Sequence, residues 1–179
     1  LFGVVAPSGR LPFSVPVAEA DLPAFDNASP AVTYGYFHGY RHLAREGTAP
    51  RYPFGFGLTY TSFTYDSIAL GASSIAPDGE LVVTVEVTNA GAVAARETVQ
   101  LYVAAIGSRV ERAPSDLRAF AQVEIAAGAT ETVELRVAAR DLAFWDTSAS
   151  AWEVEAIEYE ARVGPNAADT PLVETFRVE

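Results

Sequence analysis

From Ser62 to the C-terminus, apolar side chains recur at every second position, and that period of two excludes a helical core for this part of the chain. Leu81, Val83, Val85 and Val87 face one way, with Val82, Thr84, Glu86 and Thr88 facing the other. Val99, Leu101 and Val103 form the next apolar row, with Gln100 and Tyr102 opposite. Phe120, Val123 and Ile125 follow a loop holding Pro114, and Val133, Leu135 and Val137 alternate with Glu134 and Arg136. Phe63–Leu70, Ala151–Glu155, Glu158–Val163 and Val173–Val178 read as further strands, and Asn89-Ala90-Gly91 and Ala127-Gly128-Ala129 supply turns. Seven or eight short strands separated by turn signals predict an immunoglobulin-like or fibronectin-type β-sandwich of about 100 residues. Ala138–Leu142 departs from the alternation and predicts a short helical turn before Phe144-Trp145-Asp146.

Upstream of the sandwich stands Tyr52-Pro53-Phe54-Gly55-Phe56-Gly57-Leu58-Thr59-Tyr60-Thr61. Gly55 and Gly57 permit positive φ or close backbone approach, while the rings at 52, 54, 56 and 60 supply area to bury. This predicts a packed junction, since flexible linkers lack aromatic residues. Earlier still, Pro7-Ser8-Gly9 reads as a turn. Leu11, Phe13 and Val15 alternate like a short strand that Pro12 and Pro16 confine to an edge. Residues 17–33, with Pro23 and Pro30, read as loop. In 32–43 the aromatic residues, with Gly35 and Gly39, predict an irregular extended segment. His38 and His42 stand at i, i+4, a metal-ligand spacing on a helix, but the two glycines argue against that helix. No Glu completes a zinc-protease motif, so both histidines are read as packing residues.

The 179 residues, half of them hydrophobic, suffice for one domain and part of another. A formal charge of −11 argues against nucleic acid, because nothing here would neutralise phosphates. The acidic residues are spread along the chain, as on an ordinary solvated surface. With no cysteine there is neither a disulfide frame nor a thiolate metal site. The compartment stays open, with periplasmic or secreted preferred to cytoplasmic. No apolar run reaches the roughly 20 residues a membrane helix needs. All 12 basic residues of the Lys/Arg type are arginine, which points to a GC-rich, bacterial genome. A chain that begins at Leu1 and holds no methionine reads as a piece of something longer.

Catalytic equipment is scarce. Hydrolysis needs a nucleophile with its base, or two carboxylates at a fixed separation across a pocket. There is no Gly-x-Ser-x-Gly elbow, Ser8 has no identifiable histidine partner, and Glu86, Glu134 and Glu160 occupy solvent-facing strand positions. Asp141 and Asp146 flank Phe144-Trp145, and Trp152 follows; aromatic rings beside carboxylates can bind sugars, although tryptophans more often cover a sheet or fill a core. No residue is assigned a catalytic, cofactor-binding or metal-ligating role.

Taken together, the motifs resemble the C-terminal end of glycoside hydrolase family 3, the β-glucosidase and β-xylosidase family. They are Leu1-Phe2-Gly3, Pro7-Ser8-Gly9-Arg10-Leu11-Pro12, Gly39-Tyr40-Arg41, Tyr52–Thr61, Val87-Thr88-Asn89-Ala90-Gly91, Val99-Gln100-Leu101-Tyr102-Val103, Leu117-Arg118-Ala119-Phe120 and Asp141-Leu142-Ala143-Phe144-Trp145-Asp146. The resemblance covers nearly the whole chain. It implies a mainly β structure, in which residues 1–61 are the C-terminal tail of an α/β sandwich domain with an aromatic linker, and residues 62–179 a fibronectin type III-like domain. It also implies a parent that releases sugars with retention, whose nucleophile and acid/base lie upstream. Tyr34 stands where many members have glutamate, and Ile157 where many have glycine. The resemblance places His38, Tyr40 and Arg41 near the substrate entrance, though a structural role suits them better.

Three readings follow. In the first, the chain is a scaffold that stabilises the upstream catalytic domains of a β-glycosidase. In the second, it is a free-standing carbohydrate-binding or adhesion module with Trp145 and Trp152 as platform, an idea that fails if those rings are buried. In the third, it is a cleavage product still bound to its larger partner, and residues 1–60 order poorly when isolated.

Overall fold

The computed structural model describes residues 3, 5–24 and 26–179. Leu1 and Phe2 of the first motif lie outside the described residues.

The alternating segments form two sheets. One has β1 (Phe63–Leu70), β3 (Glu80–Asn89) and β6 (Thr130–Ala138) in the order β1-β3-β6. The other has β2 (Ser74–Ile75), β4 (Ala95–Ile106), β5 (Asp116–Ile125), β9 (Glu158–Gly164) and β10 (Leu172–Val178), in the order β2-β10-β9-β4-β5. The short β2 pairs parallel to β10; every other pairing is antiparallel. A separate two-stranded hairpin, β7 (Phe144–Asp146) and β8 (Ala151–Glu153), follows a 3-10 turn at Ala139–Leu142. The expected helical turn is therefore present, and the strand foreseen over Ala151–Glu155 stops at Glu153.

The core lies between the sheets. Leu81, Val83, Val85 and Val87 from β3 meet Val99, Leu101 and Val103 from β4, Val133, Leu135 and Val137 from β6, and Tyr159, Ala161 and Val163 from β9. Tyr159 stacks on Phe176 at 5.5 Å. Burying each such side chain is worth roughly 1.5–3 kcal/mol, so the alternating rows hold the sandwich together.

Two details of the strands differ from the sequence expectation. Phe120 does not share a face with Val123 and Ile125: it lies 64% exposed, while Ala119, Ala121 and Val123 pack inward. Its even position obeys the period, and its apolar character does not override it. β4 also buries both faces, since Gln100 and Tyr102 are as enclosed as Val99 and Leu101.

The N-terminal segment provides the second cover. It lays the junction over the outer face of β4, where Gln100 Nε2 donates to the Gly55 carbonyl at 3.2 Å and to the Pro165 carbonyl at 2.5 Å. Tyr102 completes the set by donating its hydroxyl to Gln100 Oε1 at 2.6 Å. Gly55 has φ +83°, and a Cβ there would sit 2.0 Å from Gln100 Oε1, so the close approach expected of this glycine is realised. Residues 11–15 do not form the expected edge strand. They pair irregularly with the junction through Leu11 N to Phe56 O, Gly55 N to Leu11 O and Val15 N to Tyr52 O, each 2.8 Å.

The segment 32–43 likewise departs from expectation, because Gly39–Arg45 is a helix, α1. Gly39 does not interrupt it: with φ +56° it turns the chain into the helix, and Gly35 lies wholly outside. Tyr40 to Arg45 are ordinary helical residues, and Leu43 is buried at 2% exposure. Among the described residues no helix is long and apolar enough to cross a membrane.

Candidate functional site

Two buried carboxylates on the sandwich take their counter-charges from the N-terminal segment. Glu97, near the start of β4, is 1% exposed. Arg10 forms an ion pair with its Oε2, and the Tyr65 hydroxyl of β1 donates to Oε1 at 2.9 Å. Burial holds the Glu97 carboxyl above its ordinary range, against the opposing pull of Arg10 and the Tyr65 hydroxyl. Burial, and then the neighbouring Glu97 charge, push the Tyr65 phenol upward. Arg10 reaches the carboxylate past Gly57, where a Cβ would stand 2.2 Å from its Nη1 and 2.4 Å from the Gly9 carbonyl. The second junction glycine therefore makes room for an arginine side chain.

Asp116, at the start of β5, is 5% exposed. Its carboxylate accepts from Arg41 Nε at 2.5 Å, Arg118 Nη2 at 3.0 Å, the Tyr36 hydroxyl at 3.2 Å and the Tyr40 hydroxyl at 3.4 Å. The two hydroxyls in turn accept from the backbone N–H groups of Ala113 and Leu117. Arg41 also lies over the Tyr36 and Tyr40 rings. Tyr40 packs on Phe54 and on Tyr102, and burial raises its phenol pKa. Tyr40 and Arg41, weighed from the sequence as contacts near a substrate entrance, here dock α1 onto the sandwich.

His38 precedes the helix, exposed, with Nδ1 2.6 Å from the Gly35 carbonyl, and His42 lies within α1. Among the described residues no three His, Cys, Asp or Glu side chains converge on a metal-sized space.

The β7–β8 hairpin has two unlike faces. Arg109 reaches its inner face, bonding Asp146 at 2.7 Å and Glu153 at 2.5 Å, with its guanidinium 4.9 Å from the Phe144 ring centre. Asp146 also accepts from the N–H groups of Ser148 and Ala149, closing the turn. Beneath, buried Glu155 accepts from Arg109 N at 2.9 Å and Ser108 Oγ at 2.5 Å. The outer face carries Trp145 and Trp152, a cross-strand pair with ring centres 5.6 Å apart. They are 48% and 71% exposed, so they do not fill the core or cover the sheet as tryptophans ordinarily would, because Phe144 and Arg109 already occupy the inner side.

Arg109, followed by the two backbone donors, lowers the Asp146 pKa to about 2. A depressed carboxylate pKa contributes stability above its ordinary value, near 3.8, and loses it as pH falls through about 2. The hairpin is thus expected to loosen between these limits. Both tryptophans of the chain sit on it, so tryptophan emission should change over this window. Asp146→Asn should show the acid-type emission already at neutral pH. An emission that follows only the global loss of far-UV circular dichroism would disprove this anchoring.

These features define a fibronectin type III-like domain carrying a docked N-terminal extension, and the Fibronectin type III-like domain family matches residues 97–167. Over nearly its whole length the chain is similar to part of several β-glucosidases, a GH3 enzyme among them. It is 43% identical over 178 residues to a β-glucosidase of Rhizobium radiobacter, covering 94% of this chain and 22% of that protein. The crystal structure of a Bifidobacterium adolescentis GH3 β-glucosidase superposes with a TM-score of 0.89 at 34% identity, covering 99% of this chain and 27% of the other. A β-D-glucoside glucohydrolase from Trichoderma reesei superposes with a TM-score of 0.90 at 29% identity, covering 100% and 28%. The chain thus spans about a quarter of the length of the relatives it matches.

Proposed function

We propose that this chain is the non-catalytic C-terminal part of a retaining, exo-acting β-glucosidase and serves as a scaffold for upstream catalytic domains of the same enzyme. The observation that carries this reading is similarity along nearly the whole chain to about a quarter of several β-glucosidases. The geometry supports it. The buried carboxylates Glu97, Asp116 and Glu155 are each neutralised by an arginine or bound by donors. Residues 1–61 are assigned to the tail of an α/β domain with its linker and 62–179 to the fibronectin type III-like domain. Two clasps, Arg10–Glu97 and Arg41–Asp116, and the junction are what weld these parts together. Phe13, Val17, Leu22, Val32 and Tyr34 remain exposed on the N-terminal segment and offer an apolar surface to the upstream domains. The arginine-only basic set favours a bacterial source, although relatives occur in both bacteria and fungi.

The free-standing binding module survives its own test, since the tryptophans are exposed. The apolar N-terminal surface, which asks for a larger partner, weighs against it. The decisive experiment assays hydrolysis of aryl β-glucoside and β-xyloside by the full-length parent and by this chain alone. The expected result is glucoside turnover by the parent and none by the chain. Turnover by the isolated chain would refute the assignment.

A further inference from the structure

We propose that the outer face of the β7–β8 hairpin is a carbohydrate-contact site, separate from substrate hydrolysis, that takes a neutral β-linked glucan chain. The choice of glucan rests on the β-glucosidase reading; the site itself rests on the hairpin.

The charges of the hairpin are satisfied internally. Arg109 is held between Asp146 and Glu153 on the inner face, and Asp146 also binds the turn. Among the described residues, the strand positions on the outer face are the cross-strand pair Trp145 and Trp152, which present no charge to an ionic partner, and a chain of formal charge −11 repels an anionic one. What the outer face offers is aromatic. Trp145 and Trp152 meet edge to face, with ring planes inclined at 74°, forming an open corner in which Trp152 is the more exposed wall. The flat, polarisable ring face of an exposed tryptophan matches the C–H face of a pyranose, and the second ring limits how the sugar can slide. Exposed Thr147, Ser148 and Ser150 at the hairpin tip are neutral hydroxyl groups suited to sugar hydroxyls. The inner-face network holds the strands in place before a ligand arrives, so little ordering cost falls on binding.

The site is tested in the full-length enzyme by electrophoresis through gels containing soluble mixed-linkage β-glucan, with aryl β-glucoside turnover measured in parallel. Trp152→Ala should bind the glucan roughly tenfold more weakly, seen as loss of retardation. Trp145→Ala should weaken it less, and neither change should alter aryl-glucoside turnover more than about twofold. Hydroxyl-radical footprinting at Trp152 supplies the second readout: oxidation should be ready in the free enzyme and suppressed by the glucan. An unretarded wild type or an equally retarded Trp152→Ala overturns the proposal. So does a Trp152 protected from oxidation before glucan is added, which would mean that the enzyme's own domains cover the hairpin. Any of these results with glucoside turnover intact removes the glucan site alone. Absence of turnover would instead remove the β-glucosidase reading.

Discussion

Replacing Glu97 with alanine is expected to lower the unfolding free energy of the chain by about 3–5 kcal/mol, the cost of breaking a buried ion pair by deleting one partner. The carboxylate is 1% exposed, and its removal leaves the Arg10 guanidinium and the Tyr65 hydroxyl without their acceptor. Glu97→Gln should cost much less. Burial already shifts this carboxyl toward its neutral form, and a carboxamide keeps an oxygen for Tyr65. The pH dependence follows from the direction of the shift. A raised folded-state pKa favours folding fully below the ordinary value, near 4.5, and that contribution fades as pH rises through the higher folded value. Wild type should therefore gain stability relative to Glu97→Gln as pH is lowered through this interval. Urea unfolding of both chains between neutral pH and pH 4 measures the difference. A Glu97→Ala chain within about 0.5 kcal/mol of wild type would show that the pair does not hold the N-terminal segment down.

What the sequence reveals here depends on whether the partner of a residue lies nearby. The strand rows were legible because a half-buried strand announces its inner face by alternation, as Leu81–Val87 and Val133–Val137 do. Gly55 and Gly57 were legible because aromatic neighbours signal packing, and packing leaves no room for a Cβ at either position. α1 was missed because Gly39 was counted as an interior residue when it forms the entrance bend. Phe120 groups with Val123 and Ile125 by its chemistry, although its position in the period puts it outside. The burial of the outer face of β4 is not legible locally, because the Gly55 carbonyl that meets Gln100 comes from more than forty residues earlier. The clasps were the least legible of all. Arg10 and Glu97 are 87 positions apart and Arg41 and Asp116 are 75 apart, and no local pattern marks an acid at a strand end as a buried one. The tryptophans misled in the opposite sense, since the usual preference for burial ignores that Phe144 had taken the inner face of so narrow a hairpin.

Asp116→Ala is expected to cost about 3 kcal/mol and, unlike a core truncation, to act first on a single element, helix α1. Four donors converge on this carboxylate, and three of them, from Tyr36, Tyr40 and Arg41, lie in or beside α1. Without it, Arg41 and Arg118 are left as neighbouring like charges with side chains only 30% and 23% exposed, and two phenols lose their acceptor. Seven helical residues cannot sustain a helix on their own, because short helices in water depend on tertiary packing. Backbone amides of residues 42–46 should thus exchange much faster in the variant, while those of β3 and β6 keep their protection. Asp116→Asn should fall between, retaining one acceptor oxygen and losing the charge. The double change Asp116→Ala with Arg41→Ala should be less damaging than the sum of the single changes by about 1–3 kcal/mol, since the second mutation removes a charge that the first had stranded. Strict additivity, or α1 amides that exchange as in the wild type, would mean that Tyr40 packing against Phe54 and Tyr102 holds the helix and that the charge cluster only decorates it.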